Sequence, residues 1–200
     1  MDSILEMLQN RLAGDEAARL GERVGTDPST AQQAIQAALP AIVAALAGET
    51  RRPEGAASLS RALEEDHDGS ILDDLAGFLA RGDASDGDAI LGHALGQRRP
   101  AVEAEVAERS GLDISTIARL LPILAPIVMG ALGRQKRQGN LDPGGLAGLL
   151  AGERRKAEEM APGGLGGLLG SLLDQDGDGL DLGDITEAAG KLGELLNRKG

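Results

Sequence analysis

Apolar residues recur along this chain at intervals of three and four, the spacing of helices that bury one face rather than of strands. Ile4, Leu5, Leu8 and Leu12 form the first such group. The second opens at Asp27-Pro28-Ser29-Thr30, where Asp27 can cap a helix and Pro28 suits its first turn, whose N–H would lack a partner anyway. The stripe that follows is Ala31, Ala34, Ile35, Ala38, Leu39, Ile42, Val43 and Leu46, closed by Gly48. Pro40 lies inside it. Because proline removes one hydrogen bond and crowds the carbonyl four residues back, the pattern predicts a kink there, or two short helices that meet.

Residues 48–55 are polar and turn-like, 56–63 and 72–79 read as short helices, and 82–87 as an Asp/Gly loop. A helix resumes through Ile90, Leu91, Ala94 and Leu95 and ends near Gly96. Pro100 opens another, with Val102 and Val106 inward and Glu103, Glu105 and Glu108 outward. Residues 114–132 are the most hydrophobic and predict a central helix, again with prolines in it (Pro122 and Pro126). Leu39, Ile42, Leu121, Leu124 and Val128 should be among the most buried side chains.

The texture then changes. Residues 133–145 are polar, basic and glycine-rich, 153–159 are densely charged, and 163–170 contain only Leu and Gly. This predicts a compact helical domain over 1–135, a mobile connection over 136–163 around a weak helix at 146–150, and a C-terminal helical segment over 164–200. In that last segment Ile185, Ala188, Ala189, Leu192, Leu195 and Leu196 form a helical stripe. Proteolysis at the basic clusters 134–137 and 154–156 would then release a folded N-terminal fragment.

An internal echo is the most informative feature. Gly25, Asp27, Ser29, Thr30, Pro40 and Leu46 recur 86 residues later as Gly111, Asp113, Ser115, Thr116, Pro126 and Leu132. Ile42 and Val43 are answered one position early by Ile127 and Val128. Each copy is a capped entry into a long apolar helix with a proline just past its middle. Two such units bury their apolar faces against each other more readily than either buries its own. The fold class is therefore all-α, with an internal pseudo-repeat.

Three segments in series carry a resemblance. They are Asp68-Gly69-Ser70-Ile71-Leu72-Asp73-Asp74-Leu75-Ala76-Gly77, then Ile90-Leu91-Gly92-His93-Ala94-Leu95-Gly96, then the Ser110-Gly111-Leu112 entry into Leu121-Pro122-Ile123-Leu124-Ala125-Pro126-Ile127-Val128-Met129-Gly130. In this order they resemble the bacterial YidB-like family of unknown function (domain-of-unknown-function family 937), over most of residues 1–135. The resemblance implies an all-α fold and carries over no catalytic residue.

Composition narrows the chemistry. The 200 residues include no Cys, Trp or Tyr and a single Phe, which excludes disulfides, thiol catalysis and aromatic platforms for bases or sugars. With 20 basic against 32 acidic residues the formal charge is −12, which disfavours nucleic acid and anionic membrane surfaces as partners. The N-terminal residues have an acid, Asp2, where a secretory signal carries a base, and a cytoplasmic location is expected. The apolar run 120–132 is too short to cross a bilayer by itself.

His67 and His93 stand outside any catalytic or zinc-binding motif, and His93 reads as a partly buried side chain bonded to a carbonyl or carboxylate. Gly92 and Gly96 beside it would admit the close approach of another helix. The sharpest local candidate is Asp174-Gln175-Asp176-Gly177-Asp178-Gly179-Leu180-Asp181. Asp174, Asp176 and Asp178, with Gly179 for the turn and the carbonyl of Leu180, supply the first half of an EF-hand calcium loop. The bidentate Glu that should complete it is replaced by Ile185. Two readings stand: a weak calcium site, or an acidic turn in which Asp184 and Glu187 cap a helix. The related Asp66-His67-Asp68-Gly69-Ser70 favours the turn, since a helix-launching Asp-Gly turn explains both copies. No resident cofactor is expected apart from that calcium. The function expected is a non-enzymatic structural or protein-interaction module, acting on an unidentified protein or on itself. A calcium-responsive binding protein and an enzyme with an acidic cleft are the alternatives.

Overall fold

The computed structural model describes residues 3–81 and 84–160, and the chain is helical throughout them, with no strand among the described residues. The helices are α1 (Ile4–Arg11), α2 (Asp15–Val24), α3 (Pro28–Glu49), α4 (Pro53–Glu65), α5 (Leu75–Arg81), α6 (Ser85–Leu95), α7 (Arg99–Ser110), α8 (Ile114–Gly139) and α9 (Pro143–Met160). Short 3-10 turns precede α5 and α7.

The echo in the sequence is a structural repeat. Gly25 (φ 84°) ends α2 and Gly111 (φ 70°) ends α7, both in the left-handed conformation that glycine adopts without strain. Two residues on, Asp27 and Asp113 cap α3 and α8. The Asp27 carboxylate accepts from the amides of Ser29 (3.0 Å) and Thr30 (3.1 Å) and from both hydroxyls. Asp113 accepts from the Thr116 amide (3.0 Å) and from the hydroxyls of Ser115 and Thr116.

The unit extends beyond what the sequence showed at first sight. Pro53-Glu54-Gly55-Ala56-Ala57-Ser58-Leu59 opens α4, and Pro143-Gly144-Gly145-Leu146-Ala147-Gly148-Leu149 opens α9, with Pro, Gly, Ala and Leu in register. Helices α1–α4 thus answer α6–α9. Their contacts are exchanged reciprocally: α3 packs on α7 and α9, while α8 packs on α2 and α4. Such exchange is what an approximate two-fold relation between like units produces.

The core lies where the long helices α3 and α8 meet. Leu39, Ile42, Leu121, Leu124 and Val128 are fully buried, as expected. Both helices are long and apolar enough to span a bilayer by length and composition, which corrects the expectation drawn from the shorter run 120–132. Their apolar stretches are 72% and 78% buried within the fold, so these faces are taken up by the surrounding helices. Both run without interruption through their prolines, so the break into two short helices, one of the two outcomes expected at Pro40, does not occur. A proline cannot bond the carbonyl four residues earlier, so Pro126 leaves the Pro122 carbonyl free. Helix α6 lies directly on that carbonyl at Gly87, where an added Cβ would overlap the oxygen.

Other corrections follow from packing. Helix α2, which the apolar spacing did not single out, buries Ala17, Leu20 and Val24. Glu103, expected outside, is 9% exposed and bonds Arg99 at 2.7 Å. Close approach occurs at Gly87 rather than at Gly92 or Gly96, beside which an added Cβ would meet nothing within 4 Å.

The largest difference is at 136–160, expected to be a mobile connection. Helix α8 continues through residue 135 to Gly139 and ends on Asn140 in the left-handed conformation (φ 47°). The Leu141 amide closes the turn on the Lys136 carbonyl at 2.9 Å. Asp142 then accepts from the Gly145 amide at 2.7 Å, and Pro143 opens α9. Leu146, Leu150 and Ala157 are fully buried, and α9 packs on α3 and α4. The charges at 153–158 do not loosen this helix. Glu153 turns inward, accepting from the Ser3 hydroxyl (2.6 Å) and the Leu5 amide (3.1 Å), so α9 caps the N-terminus of α1.

The two capping carboxylates carry a pH dependence. Bonds from the Ser29 and Thr30 hydroxyls hold Asp27 well below the usual carboxylate range, and those from Ser115 and Thr116 do the same for Asp113. A carboxyl whose folded pKa is depressed stabilises the fold fully above its unfolded pKa, and this contribution disappears as the pH falls toward the folded value. Replacing both Asp27 and Asp113 by Asn, itself a competent cap, should therefore flatten the loss of stability below about pH 4. Thermal melts of parent and double variant at pH 7, 4 and 3 check this. Parallel pH profiles would show that the caps do not carry the acid response.

Candidate functional site

A recess of about 650 Å³ opens between the C-terminal end of α3, the first half of α4 and the outer face of α6, with α8 beneath. Leu46, Leu59, Ile90, Ala94 and Met129 make its apolar wall. The repeat explains why it exists. In one half of the pseudo-symmetric fold α1 and α9 meet through the Glu153 bonds. Their counterparts α6 and α4 touch less, and the recess lies between them.

Its rim is polar. Glu49 and Arg52 form a loose ion pair at 3.9 Å, and Glu54 stands beside them. Both histidines of the chain line the recess, although they come from different elements. His67 is held by the turn after α4; its side chain is 10% exposed, and Nδ1 is 3.8 Å from an Asp86 carboxylate oxygen, too far for a hydrogen bond. His93 is exposed at the edge of α6, which corrects its reading as a partly buried side chain. Farther along α6, Asp88 is taken up by Arg99 at 2.8 Å. Burial lowers the Arg99 pKa, but the bonds to Glu103 and Asp88 outweigh it and leave the pKa raised. An apolar wall whose rim carries Glu49 and Glu54 against Arg52 suits the burial of aliphatic groups flanked by polar ones.

A smaller recess, about 470 Å³, lies beside α1 and α8 and includes Arg11 and Arg134. Both arginines are committed to structure. Arg11 donates to the Leu72 carbonyl, while Arg134 donates to the Gly69 carbonyl at 2.7 Å and pairs with Asp73.

The calcium candidates Asp174, Asp176, Asp178 and Leu180 lie outside the described residues. Among those that are described, no group of three or more His, Cys, Asp or Glu could hold a metal ion. The related turn at Asp68 is described. Its carboxylate accepts from the Ser70 amide at 2.9 Å, and Gly69 (φ 90°) launches a 3-10 turn. The Ser70 bonds, with Arg137 nearby, hold the Asp68 carboxyl below its ordinary value. This copy is a helix-launching turn. The recess itself was not read from the sequence, since four separated elements build it and neither histidine sits in a motif.

Neither a curated protein nor a solved structure matches this chain. A family model does, over residues 6–135, from α1 through most of α8. The chain belongs to that family, described as a bacterial protein of unknown function (DUF937).

Proposed function

We propose that this chain is a non-enzymatic protein-interaction module, and that the recess between α4 and α6 receives aliphatic side chains of a protein partner. The observation that carries this reading is the recess, an apolar wall placed between α4 and α6, which touch less than their counterparts α9 and α1. Fully burying one Leu or Ile side chain stabilises a complex by about 1.5–3 kcal/mol. Interfaces draw most of their affinity from a few such anchors in a pocket, with a polar rim around them. Glu49, Arg52 and Glu54 provide that rim.

The test is a photoreactive amino acid placed at Ser58 on the rim and, in a separate protein, at Glu108 on the exposed face of α7. Irradiation in cells should give discrete protein adducts from position 58 and none of the same from position 108. Identical adducts from both positions, or none from position 58, would overturn the reading.

A further inference from the structure

We propose that the occupant of the recess is a segment of the chain itself, residues 185–199, so that access for any other protein is regulated in cis. The inference rests on the reading of the recess as a protein-docking site. Three observations carry it.

The first is complementarity of apolar groups. The sequence carries Ile185, Ala188, Ala189, Leu192, Leu195 and Leu196 at helical spacing, a stripe that needs an apolar surface to cover it. The recess offers such a surface between α4 and α6.

The second is charge. Over the chain as a whole acids exceed bases by 12, yet residues 185–199 hold Lys191, Arg198 and Lys199 against Glu187 and Glu194. Glu49 and Glu54 stand on the rim of the recess against Arg52, which pairs loosely with Glu49. The last turn of α3, to which Glu49 belongs, adds the partial negative charge of a helix C-terminus. A leucine-bearing segment with one base in excess therefore meets a leucine-lined recess whose rim has one acid in excess.

The third is reach. Residues 161–184 join α9 to the stripe and are rich in glycine. A Gly-rich random coil of that length would have an r.m.s. span of about 25–30 Å. A domain the size of the described part has a radius of gyration of about 15 Å, so the recess is within range. Tethering also sets an effective concentration on the order of 1 mM, which keeps even a weak intramolecular contact mostly formed.

The absence of native cysteine makes disulfide trapping a clean test. Ser58→Cys on the rim is combined with Gly193→Cys in the segment of the full chain, and Glu108→Cys with Gly193→Cys serves as the control. Under mild oxidation the first pair should form an intramolecular disulfide at least tenfold faster than the control. Adding Leu192→Asp, Leu195→Asp and Leu196→Asp should remove that advantage. Equal rates for the two pairs would mean random collision of a tether, and disulfide-linked dimers would place a second copy in the recess; either result overturns the proposal. Hydrogen exchange gives a second readout that needs no cysteine. Amides of residues 54–62 and 89–94 should exchange faster in the Leu-to-Asp variant, with α2 and α7 unchanged, and no difference there would also overturn it. If trapping fails while adducts to another protein persist at position 58, this inference falls and the proposed function stands.

Discussion

A chain stopped after Asp142 should lose most of its stability. Helix α9 would be absent, and with it Leu146, Leu150 and Ala157, all fully buried against α3 and α4. Two fully buried leucines stabilise by about 1.5–3 kcal/mol each. Loss of Glu153 leaves the Ser3 hydroxyl and Leu5 amide without their partner, at roughly 1–3 kcal/mol for a buried donor that finds no other. The sum is on the order of 5 kcal/mol, comparable with the whole stability of an ordinary domain. Urea unfolding of the truncated chain beside the full one is the measurement. A cooperative transition within about 1 kcal/mol of the parent would show that the family-matched region folds alone and that α9 is dispensable. The repeat argues otherwise, since α9 occupies in the second unit the place that α4 occupies in the first.

That helix also shows where the sequence was legible and where it was not. The long elements α3 and α8 were readable because a cap, a stripe and a terminating residue agreed at every level. The signals at the start of α9 are of the same kind: Asn140, then Asp142-Pro143, just as Asp27-Pro28 opens α3. They were outweighed by glycine content and by the charge density at 153–159. Helix propensity and charge are local, whereas Leu146, Leu150 and Glu153 are held by contacts with α1, α3 and α4, far away in sequence. Glu103 and helix α2 escaped for a similar reason. An Arg99 partner buries one, and packing of a sparse apolar face against α3 secures the other. The recess was the least legible feature. It is defined by how little α4 and α6 touch, and a sequence pattern records the faces that pack rather than the gaps left between them.

Gly87 and Gly92 lie in the same helix, α6, and score alike on any propensity scale, yet they should respond to alanine with opposite sign. In a helix interior, Gly→Ala stabilises by roughly 0.4–1 kcal/mol, because alanine has less unfolded-state freedom to lose. At Gly92 an added Cβ meets nothing within 4 Å, so Gly92→Ala should show that gain. At Gly87 the same Cβ would overlap the Pro122 carbonyl, a backbone group in the middle of α8 that cannot rotate away. Relief requires the two helices to separate along their shared face, loosening Leu91 and Leu121, both fully buried. The cost expected for Gly87→Ala is about 1–3 kcal/mol after the propensity gain is subtracted. Paired urea melts of the two single variants decide it. If both are stabilised, α6 does not lie on the proline-freed carbonyl. Opposite signs would place α6 in close contact at Gly87 with the Pro122 carbonyl, the one that Pro126 has no N–H to bond.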